Sequence, residues 1–213
     1  MRISWPCRPF QDLLPLHGAH GLSYGLCKCA DFHSRFLKEA LMSNASLIVF
    51  STCDLCDEHK TNDSADFRVI PTVFQNYGAR VKFAGPVLTV KCYEDNSHVK
   101  QAVESEGHGR VLVVDGGASM RRALLGGNLA AAAQRNGWAG IVIDGCARDA
   151  AELAALDIGI RALALNPMPT DRAGQGQTGL VIHVQGVRVK IGDWLYADLD
   201  GIVISSTALH AVS

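Results

Sequence analysis

The chain has 213 residues, 48% of them hydrophobic and 19% charged, the balance of an ordinary folded globular protein. Its 20 basic and 21 acidic residues leave a net charge of -1, so there is no cationic surplus to hold a nucleic-acid backbone and direct nucleic-acid binding is not expected. No apolar run approaches the ~20 residues needed to span a bilayer, and seven cysteines, an odd number, suit reduced thiols in a cytoplasmic protein better than a disulfide framework.

Residues 1–41 read differently from the rest, with Cys7, Cys27 and Cys29 among them and little apolar periodicity. They are expected to be an appendage outside the fold, with the folded domain covering 42–213. Ser51–Lys60 carries Thr52 and Asp54 at a helix start. Arg80–Phe83 and Pro86–Tyr93 are valine-rich and predict strands, with Pro86 at a first position where a missing N–H is tolerated. Asn96–Glu106 has helical spacing. Arg110–Asp115 is a short apolar run that reads as a buried parallel strand ending at Gly116-Gly117.

Ser119–Leu125 predicts a helix stopped by Gly126-Gly127, and Asn128 then caps an alanine-rich helix Leu129–Arg135. Ala139–Asp144 is the next strand, Asp149–Leu156 a further helix, and Arg161–Leu165 a further apolar run. Asp171–Gly179 looks flexible. The remainder is β-rich: Leu180–Val184, Val187–Ile191, Trp194–Tyr196 and Ile202–Ser205, separated by glycine turns. The expected fold is α/β, with a mixed central sheet and a β-rich C-terminal part.

Topology brings the chemistry-bearing residues together. If 111–115 and 139–144 are parallel neighbours, the helix between them runs antiparallel, and its start lies at the edge where both strands end. Gly126–Leu129 then sits beside Arg148 and Asp149. Free N–H groups at a helix start bind anions, and glycine lets a ligand approach the backbone. A guanidinium pairs bidentately with a carboxylate. One aspartate suffices for Mg²⁺ or Mn²⁺ when waters and a chelating 2-oxo acid fill the other positions.

Bland readings stand beside these. Asp149-Ala150-Ala151-Glu152 is close to a capping box, so Asp149 can be a helix cap alone. Arg148 can be a solvated surface residue and Gly126-Gly127 a plain turn. Cys27-x-Cys29 with Cys53-x-x-Cys56 invites a zinc reading, but the spacing is unusual and the second pair lies among acidic residues. The glycines match neither a dinucleotide fingerprint nor a Walker loop. Lys91, on an expected strand, offers imine chemistry as an alternative to metal. Asp198 and Asp200 beside Gly201 read as a turn.

Residues 52–207 resemble the RraA-like family, which includes 4-hydroxy-4-methyl-2-oxoglutarate aldolases and regulators of ribonuclease E. The resemblance is carried by Cys56-Asp57, Phe83-Ala84-Gly85-Pro86, Thr89-Val90-Lys91-Cys92, Glu94-Asp95-Asn96, Gly109–Gly117, Asp157-Ile158-Gly159 and Tyr196-Ala197-Asp198. It implies a β/β/α swivelling-type fold and a homotrimer with sites at subunit interfaces. It also implies that Gly126, Gly127, Asn128, Leu129 and Arg148 hold pyruvate while Asp149 carries the divalent metal. The chain keeps the Arg-Asp pair that some regulatory members lack. A carboxylate that some family enzymes supply from the neighbouring subunit has no match here. The activity implied is a metal-dependent pyruvate aldolase that also decarboxylates oxaloacetate. The alternative is a non-catalytic regulator that docks on a ribonuclease.

Overall fold

Apolar side chains at 111–114 and 141–143 find cover on both faces of a sheet, which is why these runs are continuous rather than alternating. The computed structural model describes residues 48–62 and 64–210. The expected appendage 1–41, and with it Cys7, Cys27 and Cys29, lies outside the described residues.

The elements in chain order are α1 (Thr52–His59), β1 (Phe67–Ile70), β2 (Gln75–Asn76), β3 (Phe83–Lys91), α2 (Ser97–Glu104), β4 (Val111–Leu125) and α3 (Gly127–Arg135). There follow β5 (Gly140–Ala147), α4 (Ala150–Ala154), β6 (Gly159–Leu165), β7 (Gln177–Thr178), β8 (Ile182–Val184), β9 (Val187–Val189), β10 (Trp194–Ala197) and β11 (Ile202–Ser205). The main sheet has the order β1-β11-β10-β3-β4-β5-β6-β2, with β7 on β3. Strands β3 to β6 are parallel and the outer pairs antiparallel, so the sheet is mixed as expected.

Side-chain alternation splits the core in two. Leu112, Val114, Ile141, Ile143 and Ile160 face α2 and α3, where Val99, Val103, Ala130 and Ala133 meet them. Val111, Val113 and Val142 face the β8–β9 hairpin and pack with Ile182, Val184 and Val189. The order of layers is therefore helices, sheet, hairpin. At the far edge α1 begins at Ser51, whose side chain accepts from the Asp54 N–H at 3.3 Å. Asp198 fastens that helix to the sheet, accepting from Thr52 N at 2.8 Å and Thr52 Oγ1 at 2.6 Å.

Several expectations are corrected. Ser119–Leu125 is not a helix. Strand β4 runs on through Gly117 and Ala118, both left-handed, and pairs Ser119, Ala123 and Leu125 with Gly145, Cys146 and Ala147 across register shifts. Long-range pairing plus burial of Ala123–Leu125 outweighs the local helix preference of that stretch. Pro86 is inside β3, not at its start. The Val87 N–H donates to Asp193 O on the β10 side, so the Pro86 nitrogen faces β4, where pairing begins only at Val87. Helix α3 begins at Gly127, with Gly126 and not Asn128 in the cap position.

Candidate active site at the ends of the parallel strands

The chain leaves β4 at Leu125, turns through Gly126 and enters α3, and it leaves β5 at Ala147 directly into Arg148 and Asp149. Because β4 and β5 are parallel neighbours, the two exits are adjacent. A backbone bond from Arg148 N to Leu125 O, 2.9 Å, locks them together. The expected convergence of Gly126–Leu129 with Arg148 and Asp149 is what the structure shows.

Asp149 does not cap its own helix. It takes a left-handed conformation with φ 64°, and no side-chain bond closes onto the start of α4. Its Oδ2 instead accepts the N–H of Gly127 at 3.0 Å, across the turn, and lies 3.5 Å from Arg148 Nε. Both contacts use the same oxygen, so Oδ1 has no protein donor among the described residues. Arg148 and Asp149 are each about one-third exposed, at 37% and 35% of the side chain. They are reachable from solvent yet held in place. The capping-box and free-surface readings do not fit this geometry.

The two glycines are needed for the approach. A Cβ at Gly126 would stand 2.6 Å from Asp149 Oδ2 and 3.0 Å from Arg148 Nε. A Cβ at Gly127 would fall 1.8 Å from Glu152 Oε2. Any side chain there pushes the carboxylates away from the helix start.

These residues open on a cleft of about 360 Å³. Gly126, Asn128, Leu129, Arg148 and Asp149 form one side, and Asn96 and the segment Pro169–Arg172 form the other. The second side has no local signature in the sequence. Asp171–Gly179 looked flexible, yet Asp95 pins it: Oδ2 accepts from Ala173 N at 2.7 Å and Gln175 N at 3.0 Å. Burial works against the charge on Asp95, but hydrogen bonds from Ser97, Gln175 and Ala173 prevail and hold its carboxyl at about 2. Arg172 Nε reaches Asn96 Oδ1 at 3.3 Å, placing a second guanidinium at the cleft.

The donor set suits a hard divalent cation of the kind that keeps most of its waters. Among the described residues no group of three or more His, Cys, Asp or Glu is arranged around one point, and the Cys27-x-Cys29 half of the zinc reading lies outside them. One free carboxylate oxygen on Asp149, with the Asp171 carboxylate across the cleft, is what Mg²⁺ or Mn²⁺ accepts. Thr170 Oγ1, buried in the cleft wall, has no hydrogen-bond partner among the described residues. Lys91 is not in this cleft. It lies 3.4 Å from Asp115 on a neighbouring strand, in a row with Asp144 on the hairpin side of the sheet. Asp144 there accepts from Gln185 Nε2, and its burial pushes its carboxyl up.

This is a mixed-sheet α/β domain that gathers a helix start, an Arg-Asp pair and a cleft lined by Arg148, Arg172, Asp149 and Asp171 at one strand edge. The chain belongs to the RraA-like family, whose model, described as Aldolase/RraA, matches residues 52–204. It is 61% identical over 168 residues to a protein of Albidiferax ferrireducens named "Putative 4-hydroxy-4-methyl-2-oxoglutarate aldolase", covering 75% of this chain and 97% of that one. A Burkholderia multivorans protein of the same name is 50% identical, over 76% of this chain and 99% of its own. Among solved structures, the RNA-processing inhibitor RraA from Thermus thermophilis superposes with a TM-score of 0.72 at 41% identity, over 78% of this chain and 98% of that one. No helix among the described residues is long and apolar enough to cross a membrane.

Proposed function

We propose that this protein is a divalent-metal-dependent aldolase that cleaves 4-hydroxy-4-methyl-2-oxoglutarate-type substrates to pyruvate and also decarboxylates oxaloacetate. The observation that carries this reading is the half-used carboxylate of Asp149. One oxygen is fixed by Gly127 N–H and Arg148, and the other is open to the cleft. The names of the 61% and 50% identical relatives support the same reaction class.

Asp149 would hold the cation, Mg²⁺ or Mn²⁺, together with waters and the substrate's own oxygens. When bound, the cation supplies Lewis acidity that stabilises the negative charge developing on the substrate's keto oxygen. Arg148 grips the substrate carboxylate through its planar fork and fixes the orientation. The N–H groups at the start of α3 add partial positive charge on the same side, and Gly126 lets the substrate come close to them. Aldol cleavage and loss of CO₂ from oxaloacetate both leave the same pyruvate-derived carbanion, so one site serves both.

The enzyme is read as a homotrimer with sites at subunit interfaces. Exposed Met120, Leu165 and Met168, at 50%, 44% and 55%, support an interface beside the cleft, since β4 and the 166–169 segment are bonded there. Similarity to an RNA-processing inhibitor supports a second reading, a regulator that docks on a ribonuclease. Measuring oxaloacetate loss with and without Mg²⁺, alongside ribonuclease E binding, separates the two. Metal-stimulated pyruvate release supports the enzyme, whereas no turnover with tight ribonuclease binding overturns it in favour of the regulator. Light scattering on the eluting species checks the trimer.

A further inference from the structure

A second cleft, of about 150 Å³, lies toward the opposite end of the parallel strands and shares no residue with the first. Its walls are Pro71, Thr72 and Phe74 from the β1–β2 connection and Leu199–Ile202 from the turn into β11, and Arg161 closes it from within β6. Arg161 pairs with Val142, five positions before Ala147 at the end of β5, so the two clefts stand roughly 17 Å apart along the strand at ~3.3 Å per residue.

Arg161 is only 6% exposed. Its Nη2 donates to the carbonyl oxygens of Val81 and Asp198. Its Nε has no hydrogen-bond partner among the described residues. No carboxylate among the described residues forms an ion pair with it. The nearby Asp198 carboxylate is already spent on Thr52 and on the N–H groups of Asp200 and Gly201. A guanidinium stays charged under all ordinary conditions, and a buried charge without a counter-ion is costly. Burial accordingly pushes its pKa down, with the charge of Asp198 working the other way. Tethering two carbonyls accounts for Nη2 but leaves the net charge and Nε without a counterpart.

We propose that this cleft binds a small, singly charged carboxylate, with the Arg161 guanidinium as its counter-ion. At ~30 Å³ per water the volume equals about five waters, which suits an anion of a few heavy atoms. Asp200, exposed at the rim, opposes a second negative charge. Pro71, Phe74 and Leu199 offer apolar cover to a short carbon chain, which phosphate does not use. The proposal does not depend on the reaction assigned to the first cleft.

The test uses the full chain, titrated with acetate, with phosphate, and with chloride at matched ionic strength. Binding is followed by calorimetry and by the Arg161 Nε–H resonance. Acetate should bind saturably at one site per chain and shift that resonance, with phosphate about tenfold weaker or worse and chloride without effect. Arg161→Gln should abolish binding. Because a buried arginine is a risky position, Gly201→Leu provides a second variant. A Cβ at Gly201 meets no atom within 4 Å and the backbone is not left-handed, so the fold should tolerate the side chain while the cleft fills. Acetate binding should vanish in Gly201→Leu and persist in Arg148→Lys. Binding that survives Gly201→Leu, or a shift that chloride reproduces, overturns the proposal. Loss of binding in Arg148→Lys with retention in Gly201→Leu would place the anion in the first cleft, overturning the proposal and leaving the proposed function intact. Tighter phosphate than acetate binding overturns the carboxylate assignment.

Discussion

Two aspartates, Asp149 and Asp198, each accept a backbone N–H at the start of a helix that is not their own, and they differ in what remains. Asp198 at α1 is 9% exposed, and its two oxygens take Thr52 N, Thr52 Oγ1, Asp200 N and Gly201 N. Asp149 at α3 takes only Gly127 N, with Arg148 against the same oxygen, and its side chain is 35% exposed. Burial opposes ionisation of Asp198, but its donors hold the carboxyl below the ordinary range. The saturated carboxylate is a fastener; the one with a spare oxygen is free to do chemistry.

Substituting each aspartate tests the distinction. Asp149→Asn should lower metal-dependent oxaloacetate turnover by roughly 100-fold or more, while the melting temperature stays put, since Asn accepts a helix-start N–H about as well. Full activity in that variant would dissolve the contrast. Asp198→Ala should do the reverse. Stability should fall by about 2–4 kcal/mol through the loss of several hydrogen bonds to a charged acceptor, with turnover per folded molecule near wild type. Chemical denaturation and the assay on the same samples check both arms.

Arg148→Lys sharpens the picture on the active side. It keeps the charge but loses the planar fork, so inhibition by oxalate should weaken about tenfold, and unchanged inhibition would remove Arg148 from the site. A smaller effect concerns Asp95, whose carboxyl is held at about 2 in the fold against an ordinary value near ~4. A depressed pKa means stability that is fully present above the unfolded value and lost as pH falls through the folded one. The Pro169–Arg172 wall should therefore loosen between about pH 4 and 2, ahead of the rest in hydrogen exchange at Ala173 and Gln175. An Asp95→Asn variant should lose that acid step. The smallest expected effect is none. A chain starting at Met42 should keep its melting temperature and turnover, because the family match begins at residue 52 and the 61% and 50% identical relatives leave about a quarter of this chain uncovered. Loss of soluble protein on that truncation would show 1–41 to be integral.

The sequence made one half of the cleft legible. Apolar runs ending in Asp115 and Asp144, with an alanine-rich helix between, demand a right-handed crossover, and that crossover alone brings Gly126 to Asp149. The other half was not legible. Asn96 and Thr170–Arg172 reach the cleft through long-range bonds, Asp95 to Ala173 and Gln175, Arg122 to Pro169 and Ala123 to Met168, that join segments more than forty residues apart. No local pattern encodes such a bond. The strand at Ser119–Leu125 was hidden for a related reason: its partners, Gly145–Ala147 and Pro169, lie far along the chain, and its own residues favour helix. Arg161 could be read only as part of an apolar run. That it is buried without a counter-ion among the described residues emerges from the packing of two separate connections against β6.

Strand β3 bonds β10 along its first half and β4 along its second, and β1 pairs with β11, Ile70 opposite Ile202. On a ribosome adding about 5–20 residues per second, Ile70 waits on the order of ten seconds for its partner to be made. Until then β1 and the leading half of β3, Phe83–Pro86, are unpaired edges. A nascent chain in this state is open to pairing with its neighbours on the same message. Pro86, at the end of that half, has no N–H to offer a stray strand approaching from the β4 side.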